Sequence, residues 1–293
     1  MKKIFMAIAS VVLACGIGVA AVGCGAGEYI INVSGGGSGV GIANAQSGTS
    51  DLGMASEEVN GEEEQVTVYT LCRDGIAVIV NNDNTVSNLT IDQLKTIYTN
   101  EDANWSDFGG ADADINVIHR ENGSGTRSAF LDLIGVEDDQ LVAGAEQGST
   151  TGVLTTVAGD ENAIGYISLG SLDDTVKDVT IGGVAATPEN ITGGTYELAR
   201  PFNVMYQPGS DADNDLLADF LKYLGSTQAQ AIIEEEGYIS VAQNPQAYTV
   251  PETLPTTMEL DVSGSTSVQP LMVLLAAEYV GLLNDALAAA DAA

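Results

Sequence analysis

Apolar residues recur along this chain in two alternating patterns, short dense runs and longer runs of helical period. Tyr29 to Val33 reads as a strand, and the glycine-rich stretch Ser34 to Gly39 separates it from a helix-like run, Val40 to Gln46. Ser50 to Ser56 reads as a strand ending in small polar residues. Ile76 to Val80 is continuously apolar, the pattern of a strand buried on both faces. Thr90-Ile91-Asp92-Gln93 has the form of a capping box and predicts a helix with Leu94, Ile97 and Tyr98 on one face. Ile115, Val117 and His119 alternate with Asn116, Ile118 and Arg120 along another strand. A loop, Glu121 to Gly125, then leads into a helix carrying Phe130, Leu131 and Ile134. Ala163 to Leu169 and Phe202 to Tyr206 read as strands. Leu216 to Leu224 predicts a helix ended by Gly225, and a second helix runs to Glu236 and stops at Gly237. Pro245, Pro251 and Pro255 mark 244–257 as a linker. Beyond it come a strand, Met258 to Val262, a turn, Ser263 to Ser267, and a helix, Val268 to Leu283, with Pro270 in its first turn. The alanine-rich tail from Ala286 is expected to fray. Strands alternating with helices predict an α/β fold with largely parallel sheets.

Composition narrows the function classes. At 293 residues and 45% hydrophobic, the chain can build two lobes with real cores. Nine Lys/Arg face 41 Asp/Glu, a net charge of −32, so a nucleic-acid partner is not expected. That acidity also repels anions at long range, but salt screens it beyond about 8 Å. An anion site in this chain has to be built from close contacts.

The N-terminus reads as an export signal over residues 1–24. Lys2 and Lys3 precede an apolar stretch, Ile4 to Val22, and Ala21-Val22-Gly23-Cys24 resembles a lipobox, in which the cysteine takes the lipid. The chain is accordingly expected outside the cytoplasm, anchored to the outer face of the cell membrane through Cys24. The stretch is also about 20 residues long, enough for a retained membrane helix. With the signal and the anchor set aside, Cys72 is alone, which leaves no disulfide framework. Its apolar surroundings suggest a small core residue.

Three strand-turn-helix junctions are rich in Gly, Ser and Thr: Gly35 to Gly39, Gly123 to Thr126, and Gly264 to Ser267. Each sets backbone N–H groups and hydroxyls at a helix start, where first-turn N–H groups lack partners and the dipole end is positive. One such turn is an ordinary cap; three of them, with Arg120 and Arg127 bracketing the second, point to an oxyanion. Arg120 can offer a bidentate fork to it. Arg127 fits a surface role equally well.

These segments resemble a known family. Arg120-Glu121-Asn122-Gly123-Ser124-Gly125-Thr126-Arg127, followed by Phe130, is similar to a signature of the high-affinity phosphate-binding proteins of ABC importers. Gly48 to Ser56 and Gly264 to Leu271 resemble two more, and Asp74 to Val80 and Ala163 to Tyr166 match further family segments. The resemblance implies a two-lobed type II periplasmic-binding-protein fold, each lobe a mixed, mostly parallel sheet flanked by helices. It implies phosphate contacts from Ser38, Asp51, Arg120, Ser124, Gly125, Thr126, Thr266 and Ser267. Asp51 would be the selectivity element: a carboxylate facing an anion is favourable only when the ligand has a proton to donate, as hydrogen phosphate does and sulfate does not. Where family members often carry Arg after the Ala-Ser pair, this chain has Glu57. His119 faces away from Arg120 by alternation and is given no role. The implied protein is a monomeric binding protein and not an enzyme. It needs no cofactor and no metal, and its partners are inorganic phosphate and the permease and ATPase of the importer. The nearest alternative is a binding protein for sulfate, molybdate or tungstate.

The order of the segments departs from the family. Gly264 to Leu271 belongs to the family's first strand and helix, yet lies at the far end here. A circular permutation accounts for this, with 258–283 folding back as that strand and helix; a truncated tandem copy and a swapped segment are the other accounts. On the permuted reading, one lobe combines 25–78 with 203–293, the other is 79–202, and 244–257 is the linker.

Overall fold

The computed structural model of the chain describes residues 19–22 and 27–291. Apart from 19–22, the expected export signal, with Cys24, lies outside the described residues. Strand β1 (Val19–Val22) pairs antiparallel with β2 (Ile30–Gly35). Helix α1 (Ser38–Ser47), β3 (Leu52–Ala55), β4 (Thr67–Asn81), β5 (Asn88–Leu89) and α2 (Ile91–Thr99) follow. Next come β6 (Asn116–Arg120), α3 (Gly125–Ile134), β7 (Ala145–Gln147), α4 (Thr150–Ala158) and β8 (Ala163–Ser168). The chain continues through β9 (Val176–Asp178), β10 (Thr180–Ile181), α5 (Pro188–Thr192), β11 (Ala199–Tyr206) and α6 (Ser210–Asp213). It ends with α7 (Asp215–Leu224), α8 (Thr227–Glu235), β12 (Ile239–Ser240), β13 (Glu259–Gly264) and α9 (Gln269–Asp291).

The main sheet runs in the order β1-β2-β13-β3-β11-β4-β8-β6-β7. Strand β4 belongs to both of its halves. Thr67 to Gly75 pair with β11, and Ile76 to Val80 pair with β8. A separate core lies on either side of that change of partner. One gathers Tyr29, Leu52, Phe202, Phe220, Val262 and Tyr279; the other gathers Ile76, Leu94, Trp105, Phe130 and Tyr166. This is a two-lobed α/β architecture. Within each half the strands leading to helix starts are parallel: β13 with β2 and β3, and β6 with β7 and β8. The capping box at Thr90 forms as the sequence predicts, and Leu94, Ile97 and Tyr98 are buried.

β13 lies between β2 and β3, with Val262 opposite both Val33 and Leu52. Its period-two pattern explains the fit. Leu260 and Val262 are buried, while Glu259 and Asp261 are exposed and accept hydrogen bonds from Asn32 Nδ2 at 2.7 and 3.0 Å. Helix α9 then lays Leu271, Met272, Leu275, Ala276, Tyr279 and Leu283 onto the same core. It is long and apolar enough to cross a membrane, but this buried face accounts for its apolarity. It continues to Asp291, where the sequence suggested fraying, because alanine is the best helix former. The 244–257 segment, free of helix and strand, is tied down on the way. Tyr29 donates to the Pro255 carbonyl at 2.6 Å, and the Tyr248 and Tyr279 hydroxyls both donate to Asp219 on α7.

Candidate anion-binding site

Four strands deliver helix starts to the crevice between the lobes: β2 into α1, β13 into α9, β6 into α3 and β7 into α4. Ligands in α/β sheets bind at such carboxyl ends. The approach is close enough to demand glycine at two points. Gly264 has φ 135°, and a Cβ there would stand 2.3 Å from the Met54 carbonyl oxygen. A Cβ on Gly125 would meet Ser38 Oγ at 2.2 Å and Glu57 Oε1 at 3.0 Å.

Arg120 ends β6 and is 2% exposed. Its Nε and Nη2 donate to the two carboxylate oxygens of Glu121, both at 2.8 Å, and Nε also reaches the Gln147 carbonyl at 3.2 Å. Glu121 therefore holds one edge of the guanidinium and turns the other end into the crevice. There Nη2 donates to Thr266 Oγ1 at 3.1 Å, across the lobes, and Nη1 lies 3.5 Å from Thr150 Oγ1.

Hydroxyls complete the cluster. Ser267 Oγ lies 2.9 Å from Thr126 Oγ1 and 3.1 Å from Thr150 Oγ1. Ser38 Oγ accepts from the Ser56 N–H at 3.1 Å, and Ser265 Oγ donates to Ser56 Oγ at 2.9 Å. Ser124 caps α3 by accepting from the Arg127 N–H, which leaves its own O–H free to donate. A backbone bond from Gly39 N–H to the Gly123 carbonyl, 3.0 Å, draws the first two turns together.

Ser38, Arg120, Ser124, Gly125, Thr126, Thr266 and Ser267 thus meet in one place. Asp51 does not join them. It stands at the opposite end of β3, where Oδ2 accepts from the Asp261 N–H at 2.8 Å and Oδ1 from Asn214 Nδ2 at 3.2 Å. The register explains this: β3 runs parallel to β13 with Leu52 opposite Val262, so Asp51 is level with Asp261, in the middle of β13. Roughly 13 Å of strand separates that level from the turn at Ser265. Besides Glu121, which holds Arg120, a second carboxyl borders the cluster: Glu57, just past the other end of β3, with Oε1 3.0 Å from where a Cβ on Gly125 would stand. It lines a cavity of about 260 Å³ with Gly39, Ser124, Arg127 and Ser128. Burial raises its pKa above the usual carboxylate range, opposed by a Ser128 hydrogen bond and the Arg200 charge.

Thr150, Ser56 and Ser265 are members of the cluster that the sequence reading did not single out, and Glu57, noted there only as a departure from the family, is on its border. Thr150 had a signal, since Gln147-Gly148-Ser149-Thr150 repeats the small-polar turn of the other three junctions. Arg127 serves the loop: it donates to the Arg120 carbonyl at 2.7 Å and pairs with Asp138 at 2.9 Å. His119 is buried, bonded to the Val142 carbonyl and set edge-on to Tyr98.

Behind the cluster lies a buried ion pair. Arg200 Nε and Nη2 donate to Asp74 Oδ2 at 3.1 and 3.0 Å, and Nη1 donates to the Ser56 carbonyl at 3.0 Å. Ser168 Oγ donates to the other Asp74 oxygen at 2.9 Å. Among the described residues no group of His, Cys, Asp and Glu is arranged to hold a metal ion.

Similar proteins bear on this geometry. The phosphate-binding protein PstS 2 of Streptococcus agalactiae is 38% identical over 174 residues, 56% of this chain and 57% of that protein. Its namesake in Streptococcus pneumoniae is 40% identical over 177 residues, 58% and 59% of the two chains. The chain therefore spans less than two thirds of the length of these curated relatives. A phosphate ABC transporter substrate-binding protein of Clostridium perfringens, solved with bound phosphate, superposes with a TM-score of 0.67 at 38% identity. The superposition covers 70% of this chain and 85% of that one. An ABC-type phosphate transport receptor from Vibrio cholerae gives a TM-score of 0.58 at 35% identity, with the same coverage. Residues 25–228 match the family model of the PBP superfamily domain, and this two-lobed α/β chain belongs to that superfamily.

Proposed function

We propose that this chain is an extracytoplasmic solute-binding protein that captures hydrogen phosphate and hands it to the permease and ATPase of an ABC importer. One observation carries the reading. A buried guanidinium and hydroxyls from helix starts on both lobes meet within hydrogen-bond distance of one another, led by Arg120 Nη2 to Thr266 Oγ1 at 3.1 Å. Such a set is made of donors, and helix starts add a positive field. The direct bonds between Thr126, Thr150 and Ser267 are exchangeable for bonds to oxyanion oxygens when the lobes part to admit one. The names of the streptococcal and clostridial relatives support phosphate in particular.

Selectivity passes from Asp51 to Glu57. The Glu57 carboxylate accepts the hydrogen of hydrogen phosphate and meets sulfate, molybdate or tungstate with an unpaired like charge. Segment 258–283 acts as a circularly permuted first strand and helix. One lobe comprises about 25–75 with about 202–293 and the other about 76–201, a few residues from the expected bounds at 78 and 203, because Ile76 and Val78 pack in the second core and Phe202 in the first. Segment 244–257 joins the added strand and helix. Export through residues 1–24 and a lipid on Cys24 complete the reading, as does a monomeric state. No reaction is assigned to the chain, and it should release no phosphate from a chromogenic ester.

Calorimetric titration of the purified chain with phosphate, sulfate and molybdate tests the proposal. Phosphate should bind tightest, and Arg120→Ala should weaken it at least twentyfold, since removing a charged donor from a buried site costs about 2–5 kcal/mol. Sulfate binding tighter than phosphate would sink the assignment.

A further inference from the structure

We infer that Thr150 is a further direct ligand of the anion, contributed by a fourth helix start that lies beside the third. The inference rests on the anion-binding reading of the cluster and extends it to a residue outside the family-like motifs. Strands β6 and β7 are parallel, with Arg120 opposite Gln147. The helices that follow them, α3 and α4, therefore begin side by side, and both first turns face the crevice.

The Thr150 side chain behaves unlike its neighbours on α4. Capping of α4 belongs to Ser149, whose Oγ accepts from the Gly152 N–H at 3.1 Å. Thr155 and Thr156 turn their hydroxyls back to carbonyls of their own helix, Thr151 at 2.9 Å and Gly152 at 2.8 Å. Thr150, 5% exposed, instead sends its hydroxyl out of the helix. It lies 3.1 Å from Ser267 Oγ on the other lobe and 3.5 Å from Arg120 Nη1. The helix has no need of this hydroxyl, and both of its partners are groups assigned to the anion. A buried hydroxyl aimed there is a neutral donor to an oxyanion oxygen on the side of Arg120 away from Glu121.

The test uses the whole chain with Thr150→Val, which keeps the shape and removes the hydroxyl, and Thr150→Ser, which keeps the hydroxyl. Both are titrated with inorganic phosphate, sulfate and molybdate, and both are melted without ligand. Thr150→Val should bind phosphate at least tenfold more weakly than wild type, with Thr150→Ser within threefold of it. Thr150→Ala serves as a second hydroxyl-free variant should the valine disturb the fold. Binding by the hydroxyl-free variants within threefold of wild type overturns the inference, and so does a Thr150→Ser protein as weak as Thr150→Val. A wild type that binds sulfate or molybdate but not phosphate, with the same tenfold loss in Thr150→Val, upholds Thr150 and overturns the phosphate reading alone. A wild type that binds none of the three overturns both.

Discussion

A carboxyl beside an anion is tolerated where the ligand brings a hydrogen to share, so the identity of that carboxyl decides which anions are refused. Asp51 is held by two hydrogen bonds at the start of β3, from the Asp261 N–H and from Asn214. Glu57 is held near Gly125 and Ser128, at the mouth of the cluster. Substituting the two should therefore have separable effects. Asp51→Asn should cost about 1 kcal/mol of stability through weakened hydrogen bonds, and leave the phosphate-to-sulfate affinity ratio unchanged. Glu57→Gln should move that ratio at least tenfold toward sulfate, because an amide can also donate to an oxygen that carries no hydrogen. Calorimetry on the two variants and urea melts of Asp51→Asn check both halves. A ratio that moves with Asp51 and not with Glu57 returns the selectivity to the strand start. The sequence showed two acidic residues flanking one short strand, and no periodicity tells which end of a strand faces a ligand. Register against β13 makes that choice, and the partner strand lies about two hundred positions away in the chain.

At the scale of elements, the sequence was legible where local chemistry suffices. The Thr90 capping box, the buried run Ile76 to Val80, and the stops at Gly225 and Gly237 stand where the residues put them. β7 and α4 escaped because β7 is three residues long and α4 is rich in Thr, with Val153 and Val157 its buried apolar side chains. A pattern that short is hard to tell from a polar loop. β13 and α9 were legible as elements, but their place was not. β13 is sandwiched between β2 and β3 and carries Thr266 and Ser267 to the cluster. A chain ending at 257 should lose phosphate binding altogether. It should also leave Tyr29, Leu52 and Phe202 without their cover from Leu260, Val262 and α9. Phosphate titration and near-ultraviolet circular dichroism of the truncated chain measure these losses together. Unchanged affinity in that chain is incompatible with the permuted arrangement.

The whole molecule is two cores joined where β4 and β11 run between them, and a buried ion pair sits at that junction. Asp74 and Arg200 are paired opposite each other across β4 and β11, with Ser56 of one half and Ser168 of the other bonded to them. Burial pushes the Asp74 carboxyl up to about 6, against the pull of the Arg200 charge and hydrogen bonds from Arg200, Ser168 and the Leu169 backbone. The folded chain therefore holds this proton more tightly than the unfolded chain, whose carboxyl titrates near about 3.9. The sign follows from that difference. The contribution of Asp74 to stability is greatest below about pH 4, falls as pH rises toward about 6, and is level above it, an overall change on the order of 3 kcal/mol. The other acidic groups of this strongly acidic chain carry their own pH dependence, which is removed by comparison with Asp74→Asn. Urea unfolding of both proteins from pH 4 to 7 should show wild type losing ground to Asp74→Asn up to about pH 6 and holding a constant gap beyond. A wild type that gains on Asp74→Asn through that window would mean that the Arg200 pairing outweighs the burial. The junction would then be an electrostatic clamp on the two lobes, held together most firmly at neutral pH.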